Sequence, residues 1–195
     1  MPEQFLFTKE KGSLFNVKVW MKLLVKKNTP CYGNENRNQD LKVRLMKIIE
    51  VKENKKQYLD LLLLADEQED MVDRYLDSGK MYVLDDNGVK CECVITDEKN
   101  DILEIKNIAT VPEYQGKGYA KALIEFIVNN YREQYAILQV GTGDSPLTIP
   151  FYEKCGFVRS YIISNFFTDN YDHPIYESGI QLVDMVYLQR PFRFR

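Results

Sequence analysis

The stretch Ile108–Ala122, IATVPEYQGKGYAKA, decides how the rest of the chain is interpreted. Pro112 ends a strand pattern, Gly116 and Gly118 leave the backbone bare, and a helical pattern follows. At such a strand-to-helix turn, several backbone N–H groups and the positive end of the helix dipole can face one anion. The turn therefore predicts a phosphate-binding cradle. It is not a P-loop, because GxxxxGK[ST] is absent, nor a dinucleotide fingerprint, because Lys121 replaces the third glycine.

The composition is that of one globular domain with a short extension, since the 195 residues are 45% hydrophobic and 28% charged. The net charge of −3 disfavours nucleic acid as a partner, because phosphate backbones are bound by clustered Lys and Arg. No run reaches the ~20 apolar residues of a membrane span, and the N-terminus lacks the order of a signal peptide. We therefore expect no membrane partner and a cytoplasmic location.

The cysteines and the histidine predict neither disulfides nor a metal site. Cys31, Cys91, Cys93 and Cys155 are unevenly spaced, and the C-x-C pair has no second Cys or His pair to complete a zinc site. His173 is the only histidine, so a Ser-His-Asp triad is poorly supported. We expect reduced cysteines and no bound metal.

Strand and helix patterns alternate from Met46 onward. Strands are predicted at 47–51, 80–84, 89–96, 102–111, 135–141, 157–163 and 180–188, helices at 53–65, 67–76, 119–131 and 145–154, and a long loop at 166–179. Asn87-Gly88 predicts a hairpin turn, and Ser145 followed by Pro146 predicts a helix start. This order predicts a mixed α/β sheet with helices on both faces.

The first 45 residues differ from the rest. Phe15–Lys27 is basic and apolar, and the polar, turn-rich run Asn28–Asp40 follows it. We predict that residues 1–45 are an extension or linker outside the core, or even an upstream mis-start, and that residues 46–195 form the main domain. An N-terminal helix packed on that domain is the alternative.

Two motifs resemble those of the GNAT superfamily of N-acetyltransferases. Gln115–Ala120, QGKGYA, resembles its Q/R-x-x-G-x-G/A motif, and Phe151–Phe157, FYEKCGF, resembles its F/L-Y-x-x-x-G-F segment. The resemblance covers about residues 46–163, and the C-terminal part is similar to that of small bacterial acetyltransferases of unassigned substrate. It implies acetyl-CoA as co-substrate and a mostly antiparallel central sheet whose splayed strand pair holds this cofactor.

The resemblance also implies which residues contact the cofactor. The pantetheine arm would pair with the strand backbone at Ile108, Ala109, Thr110 and Val111. The pyrophosphate would lie on the turn and the start of the helix, at Gln115, Gly116, Lys117, Gly118, Tyr119, Ala120 and Lys121. Ser145 falls where many relatives place an asparagine against the pantetheine arm; its hydroxyl could make a similar bond or only cap its own helix.

Acetyl transfer to an amine needs a neutral amine, a stabilised oxyanion and a proton for the departing thiolate. Tyr152 resembles the tyrosine that acts as general acid near the cofactor sulfur, and packing is its alternative role. Cys155 would suggest a covalent thiol intermediate, but it directly precedes Gly156, which ends the helix. Direct transfer in a ternary complex is therefore favoured.

Glu104 is the candidate base, because its place resembles that of the base glutamate in histone-acetylating members. It could equally be a solvated or ion-paired strand residue, since alternation puts it on the same face as Lys106 and Ile108. Other members carry a glutamate on the following strand, where this chain has Gln139, which cannot take a proton. The proton route is thus Glu104 or a chain of waters.

The resemblance implies an enzyme that acetylates a primary amine, and we expect a small-molecule acceptor. The loop 166–179 combines aromatic residues with Asp169, Asp172 and Glu177, which would suit a cationic amine unless the loop is simply solvated. Acetylation of protein lysines or N-termini is an alternative, as is a non-catalytic acyl-CoA sensor. A homodimer is left open.

Overall fold

The computed structural model describes residues 5–9, 18–23 and 44–192. The strands of this part are β1 (Phe5–Lys9), β2 (Lys18–Leu23), β3 (Arg44–Val51), β4 (Lys80–Asp85), β5 (Val89–Asp97), β6 (Ile102–Thr110), β7 (Ile137–Gly143), β8 (Val158–Ile163), β9 (Tyr176–Glu177), β10 (Ile180–Gln181) and β11 (Met185–Pro191). The helices are α1 (Leu59–Leu62), α2 (Glu69–Leu76), α3 (Tyr119–Tyr131), α4 (Thr148–Lys154) and α5 (Phe166–Asn170). Among the described residues, no helix is both long and apolar enough to span a membrane.

One large sheet organises the fold, with its strands in the order β1-β2-β3-β4-β5-β6-β7-β11-β8, while β9 and β10 form a separate hairpin. Neighbouring strands are antiparallel except for β6 and β7, which run parallel. The last strand, β11, is inserted between β7 and β8. The predicted mixed, mostly antiparallel α/β sheet is confirmed.

Helices cover both faces of the sheet. On one face, α3 packs Leu123 and Ile127, four positions apart and 0% exposed, into the larger apolar cluster. On the other face, Leu62 of α1 and Val72 and Leu76 of α2 pack against β3, β4 and β5. Both sides of the central strands are therefore buried, which fixes β6 and β7 in place for the site described below.

A β-bulge at Lys106 lies where β6 and β7 part. Asn107 lies opposite Val94 while Ile105 lies opposite Ile95, so Lys106 is an extra residue on β6. The parallel ladder between β6 and β7 ends at the pair Ile105 and Val140. Beyond that pair the two strands diverge, and the predicted splayed pair is confirmed.

The prediction that Ile108 shares a face of β6 with Glu104 is wrong, because of the bulge. Strict alternation would put Ile108 beside Glu104, but the extra residue shifts the phase of the strand by one. Ile108 instead packs on the α3 side with Leu103 and Ile105. Asn107 takes its place on the opposite face, where its Nδ2 donates to the Leu62 carbonyl of α1 at 3.0 Å.

The helix predicted at 53–65 is shorter in the structure, which has a 3₁₀ turn at Lys55–Tyr58 followed by α1. In this segment, Lys55 makes a long-range contact with the C-terminal end of α2. Lys55 Nζ donates to the carbonyl oxygens of Leu76 and Gly79, at 2.6 Å each, and so binds the C-terminal end of α2. This contact holds the segment before α1 against α2 and prevents a straight helix.

The helix predicted to begin at Ser145 begins at Thr148 instead. Ser145 is 2% exposed, and its Oγ accepts the Leu147 N–H at 3.1 Å. This bond closes a local turn around Pro146 rather than capping the helix.

The C-terminal segment is also more structured than predicted. The loop expected at 166–179 contains α5 and β9, and the strand expected at 180–188 is divided into β10 and β11. Leu182 turns inward between these two strands and packs with Phe167 and Ile175 in a small apolar cluster. Burying this leucine interrupts the strand, which periodicity alone did not reveal.

Other local predictions are confirmed. The helix at 119–131 is α3, and the turn between β4 and β5 has Asn87 at φ 56° and Gly88 at φ 99°. Most of residues 1–45, Cys31 included, lie outside the described residues. The backbone of β2 pairs with β3, and the division of the chain at residue 46 stays a prediction.

Glu92 on β5 is a buried carboxyl group without a hydrogen-bonding partner. It is 0% exposed, and within the described part of the chain neither carboxyl oxygen makes a hydrogen bond. Desolvation raises its pKa to about 8. The nearby Ala109 backbone lowers the pKa, but by less than desolvation raises it. In the folded protein at neutral pH, Glu92 is therefore mostly protonated.

This burial predicts a pH-dependent stability. Because the folded pKa lies above the unfolded carboxyl pKa of ~4.3, the folded state binds the extra proton, and the free energy of unfolding falls as pH rises between the two values. The loss is on the order of 4 kcal/mol between about pH 4 and pH 8. Glu92→Gln, which is neutral, should flatten this slope in urea unfolding, whereas the exposed Glu153→Gln should keep it. Equal slopes in wild type and Glu92→Gln would contradict the prediction.

Candidate active site

A cavity of about 590 Å³ opens where β6 and β7 diverge. Its walls are residues 104–110 of β6, residues 140–143 of β7, the α1–α2 connection, α4 and the C-terminal segment from α5 onward. The α1–α2 connection, α2 and the C-terminal segment form the walls that face β6 and β7. A ligand entering along the splayed strands therefore meets a walled pocket.

The backbone of β6 offers hydrogen-bonding groups to the gap. The Val111 N–H donates to the Lys90 carbonyl at 2.9 Å, which continues the antiparallel ladder with β5. Since paired residues alternate along such a ladder, Ala109 and Val111 turn their amides toward β5, and Ile108 and Thr110 turn theirs toward the gap. Ile108, Ala109 and Thr110 line the cavity, and Val111 does not.

The glycine turn is open above its backbone. Gly116 and Gly118 have φ of 70° and 86°, a conformation that glycine adopts without steric cost. A Cβ at either position would meet no atom within 4 Å. α3 then begins at Tyr119 with no side-chain cap and no acidic residue in its first turn. Its first N–H groups, including those of Ala120 and Lys121, are therefore available to an anion.

The side chains of the turn have structural partners. The Tyr119 hydroxyl donates to the buried Asp86 Oδ2 at 2.6 Å, so only the Tyr119 backbone can serve a ligand in the cradle. Gln115 lines the cavity, and its Nε2 donates to a carbonyl of β6 at 3.4 Å. Lys117 Nζ lies 4.7 Å from the centre of the Tyr114 ring.

Tyr152 on α4 lines the cavity and is 7% exposed. Its ring packs edge-on against Phe151 and Phe157, with centroids 5.1 and 5.6 Å away. Burial raises the pKa of the phenol well above its usual value. Its hydroxyl is therefore protonated, and it makes no hydrogen bond to the part of the chain that is described.

Glu104 lies at the base of the splay and is 4% exposed. Its Oε1 accepts from Lys106 Nζ at 2.7 Å and from the Tyr187 hydroxyl at 3.4 Å, and its Oε2 accepts from Gln139 Nε2 at 2.6 Å. A carboxylate has about four acceptor sites, so one is left for a substrate N–H. Gln139 thus orients Glu104, a role that the sequence did not suggest.

Lys106, the bulge residue, is the cation of this group. Desolvation lowers its pKa, but the carboxylates of Glu104 and Glu98 outweigh that effect and hold the pKa above its usual value. Gln189 Nε2 in turn donates to Gln139 Oε1 at 3.1 Å, which fixes the direction of the amide. The carboxylate of Glu104 is thus held in place by Lys106, Gln139 and Tyr187, and one acceptor site stays open.

Two other candidates lie away from the cavity. Ser145 is not among the lining residues, and its hydroxyl is engaged in the turn described above. Cys155 is also absent from the lining, and burial raises the pKa of its thiol to about 11. A thiol in that state is a poor nucleophile at neutral pH.

The end of the cavity between the α1–α2 connection and the segment after α5 contains a polar group that sequence reasoning missed, composed of Asp66, Tyr75, Asn107 and Tyr171. No motif pointed to it, because its members come from four separate elements. Of the acidic residues expected in the loop 166–179, only Glu177 lines the cavity. Within the described ranges, no group of His, Cys, Asp and Glu is arranged to hold a metal ion.

Comparison with known proteins agrees with this geometry. The family model described as acetyltransferase (GNAT) domain matches residues 77–159. The uncharacterized N-acetyltransferase YvbK of Bacillus subtilis (strain 168) is 37% identical over 132 residues, which are 66% of this chain and 85% of that protein.

Two solved structures are also similar to this chain. A GNAT family acetyltransferase from Elizabethkingia anophelis with acetyl-CoA bound matches with a TM-score of 0.71 and 34% identity over 75% of this chain and 97% of that one. A Bacillus subtilis acetyltransferase in complex with CoA matches with a TM-score of 0.68 and 34% identity over 74% and 97%. At these identities, over nearly the full length of the relatives, the chain belongs to the GNAT family of acetyltransferases.

Proposed function

We propose that the chain transfers the acetyl group of acetyl-CoA to a primary amine of a small molecule, by direct attack with both substrates bound. One observation supports the proposal most: the free edge of β6 and Gln115 line the walled cavity, and the open cradle at the start of α3 directly follows Gln115 in the chain. This path leads from an anion site to Tyr152 and Glu104. Two of the solved relatives were crystallised with CoA or acetyl-CoA.

The residues of the path fit acetyl-CoA. The amides from Gly116 to Lys121 would hold the pyrophosphate, and the amides of Ile108 and Thr110 would pair with the pantetheine arm. When bound, acetyl-CoA supplies the acetyl group as a thioester.

Two side chains have the properties that the chemistry requires. Glu104 has an acceptor site for an amine N–H and can take its proton directly or through water. Tyr152 stays protonated and can donate to the departing sulfur, whose basicity rises in the same desolvated surroundings. The backbone amides of the gap are candidates for the oxyanion contact.

A small acceptor is favoured by the wall of the cavity that the segments around α2 and α5 form together. The Tyr171 hydroxyl donates to Asp66 Oδ1 at 2.9 Å, and Arg74 Nη1 donates to Asn170 Oδ1 at 3.4 Å. These bonds join the α1–α2 connection and α2 to α5 and the residue that follows it, so these segments form one wall of the cavity. A protein lysine or N-terminus would have to open this wall.

The function is tested by calorimetric titration with acetyl-CoA, followed by thiol-release assays over a panel of amines. We expect binding and turnover of at least one small amine. Binding without turnover on any amine would favour the acyl-CoA sensor, and turnover of peptides alone would favour a protein acceptor. Absence of acyl-CoA binding would refute the proposal.

The cradle itself can be tested with Gly118→Glu. The added side chain brings bulk and negative charge to the place of the pyrophosphate, so we expect the loss of acetyl-CoA binding in calorimetry. Gly179→Glu is the matched control, because Gly179 is also exposed, has φ of 76° and has no atom within 4 Å of an added Cβ. Comparable loss in both variants would mean that backbone strain, rather than the cradle, is responsible.

The role of Tyr152 can be tested with Tyr152→Phe. Loss of the acid should lower kcat by roughly 10²-fold or more, while the acetyl-CoA affinity changes little. Tyr82→Phe is the control, since Tyr82 is equally buried but bonds Tyr131 outside the cavity. It should cost about 1 kcal/mol of stability and leave kcat unchanged. Unchanged turnover in Tyr152→Phe would remove it as the acid.

The base can be tested with Glu104→Gln, which preserves the shape but cannot accept the proton. We expect a fall in kcat of roughly 10²-fold or more with near-normal acetyl-CoA binding. Glu98→Gln is the control, because Glu98 also pairs with Lys106, at 3.1 Å, but does not line the cavity. If both variants lose activity equally, the effect comes from Lys106, and a chain of waters becomes the proton route.

A further inference from the structure

The acceptor end of the cavity is built around the carboxylate of Asp66, in the α1–α2 connection. Its Oδ1 accepts the Tyr171 hydroxyl at 2.9 Å, and its Oδ2 accepts the Tyr75 hydroxyl at 3.3 Å. All three residues line the cavity. The two phenols fix the position of the carboxylate.

Asn107 connects this group to β6. Its Nδ2 donates to the Tyr75 hydroxyl at 2.8 Å and to the Leu62 carbonyl at 3.0 Å. The residue is 3% exposed and lines the cavity, yet its Oδ1 has no hydrogen-bonding partner in the part of the chain that the structure describes. A buried acceptor of this kind normally has a partner, and here a ligand N–H can supply it.

The charge of Asp66 has no ion-pair partner among the described residues. Desolvation raises its pKa, and the hydrogen bonds of Tyr171, Tyr75 and the Gln68 backbone oppose that effect without cancelling it. The charge of Arg74, in the same cavity, also lowers the pKa, but it is the weakest of these effects, and its guanidinium bonds Asn170 rather than Asp66. A desolvated carboxylate whose hydrogen-bonding partners are all neutral favours a cationic ligand.

We propose that Asp66, with Tyr75, Tyr171 and Asn107, binds a second cationic group of the acceptor, which makes the acceptor a small diamine or longer polyamine rather than a monoamine. This inference rests on the proposed function, in which the reacting amine lies at Glu104. Asn107 follows Glu104 by three positions with one bulge between them, so the two sites are separated by roughly 7–10 Å. Aromatic residues are among those that line the cavity, and a cation can also bind to aromatic rings.

The test compares hexamethylenediamine, whose extended length suits this separation, with n-hexylamine, which lacks the second charge. In the wild-type enzyme we expect kcat/KM for the diamine to exceed that for the monoamine by roughly tenfold or more, about 1.4 kcal/mol. Ethylenediamine, which is too short to reach both sites, should show no such advantage.

Asp66→Asn replaces the carboxylate by a neutral amide of nearly the same shape, so it removes the charge and keeps one oxygen. We expect it to abolish the advantage of the diamine, mainly through KM, and to leave n-hexylamine within about twofold. Unchanged acetyl-CoA binding verifies that the variant is folded. Glu67→Gln is the control, because Glu67 is the next residue and also lines the cavity, but pairs with His173. It should preserve the preference for the diamine.

The possible results distinguish failure of the second cation site from failure of the proposed acetyltransferase function. If amines are acetylated but the diamine has no advantage, or Asp66→Asn lowers turnover of both amines equally, the second cation site is refuted and the acetyltransferase function stands. Loss of the preference in Glu67→Gln to the same degree would also refute the second cation site. The preference would then come from the negative charge of the cavity as a whole rather than from Asp66. If acetyl-CoA binds and no amine is acetylated, the proposed function fails, and this inference fails with it.

Discussion

The extra residue at Lys106 is the constraint on which the site depends. A regular β6 would continue its ladder with β7 beyond Ile105, and the gap between the two strands would close. The bulge ends that pairing while β5 still holds the other edge of β6. It also turns Ile108 into the core and brings Asn107 to the face of Glu104. One inserted residue thereby opens the gap between β6 and β7 and brings Glu104 and Asn107 to the same side of the sheet.

Two buried glutamates on adjacent strands show how similar burial can leave carboxyl groups in very different surroundings. Glu104 is 4% exposed, with Lys106, Gln139 and Tyr187 around its oxygens. Glu92 is 0% exposed and has no hydrogen-bonding partner in the described part of the chain, so burial raises its pKa to about 8. A cation and an amide decide the difference. The lysine that shapes the strand also stabilises the carboxylate at the base of the gap.

What the sequence predicted well was local chemistry. The two glycines and the periodicity of α3 correctly indicated the open strand-to-helix turn, because such a turn depends on a few adjacent residues. The face of Ile108, the late start of α4 and the interrupted final strand were wrong or missed, because each depends on a distant partner. The Asp66 group was invisible for the same reason, since Tyr171 lies 105 positions away from Asp66. Residues 104 and 139, by contrast, were both noticed, although the bond between them was not.

The place of β11 has a consequence for how the protein is made. This strand is the last in the described chain, yet it lies inside the sheet between β7 and β8. Until β11 has emerged from the ribosome, β7 and β8 have unpaired inner edges, and such edges pair readily with other chains. The nascent protein can form the turn before α3 early, but it completes this part of the sheet only after β11 has been synthesised. Chaperone demand should therefore concentrate on the interval between the synthesis of β8 and that of β11, and a ribosome that stalls in this interval would display two open strand edges.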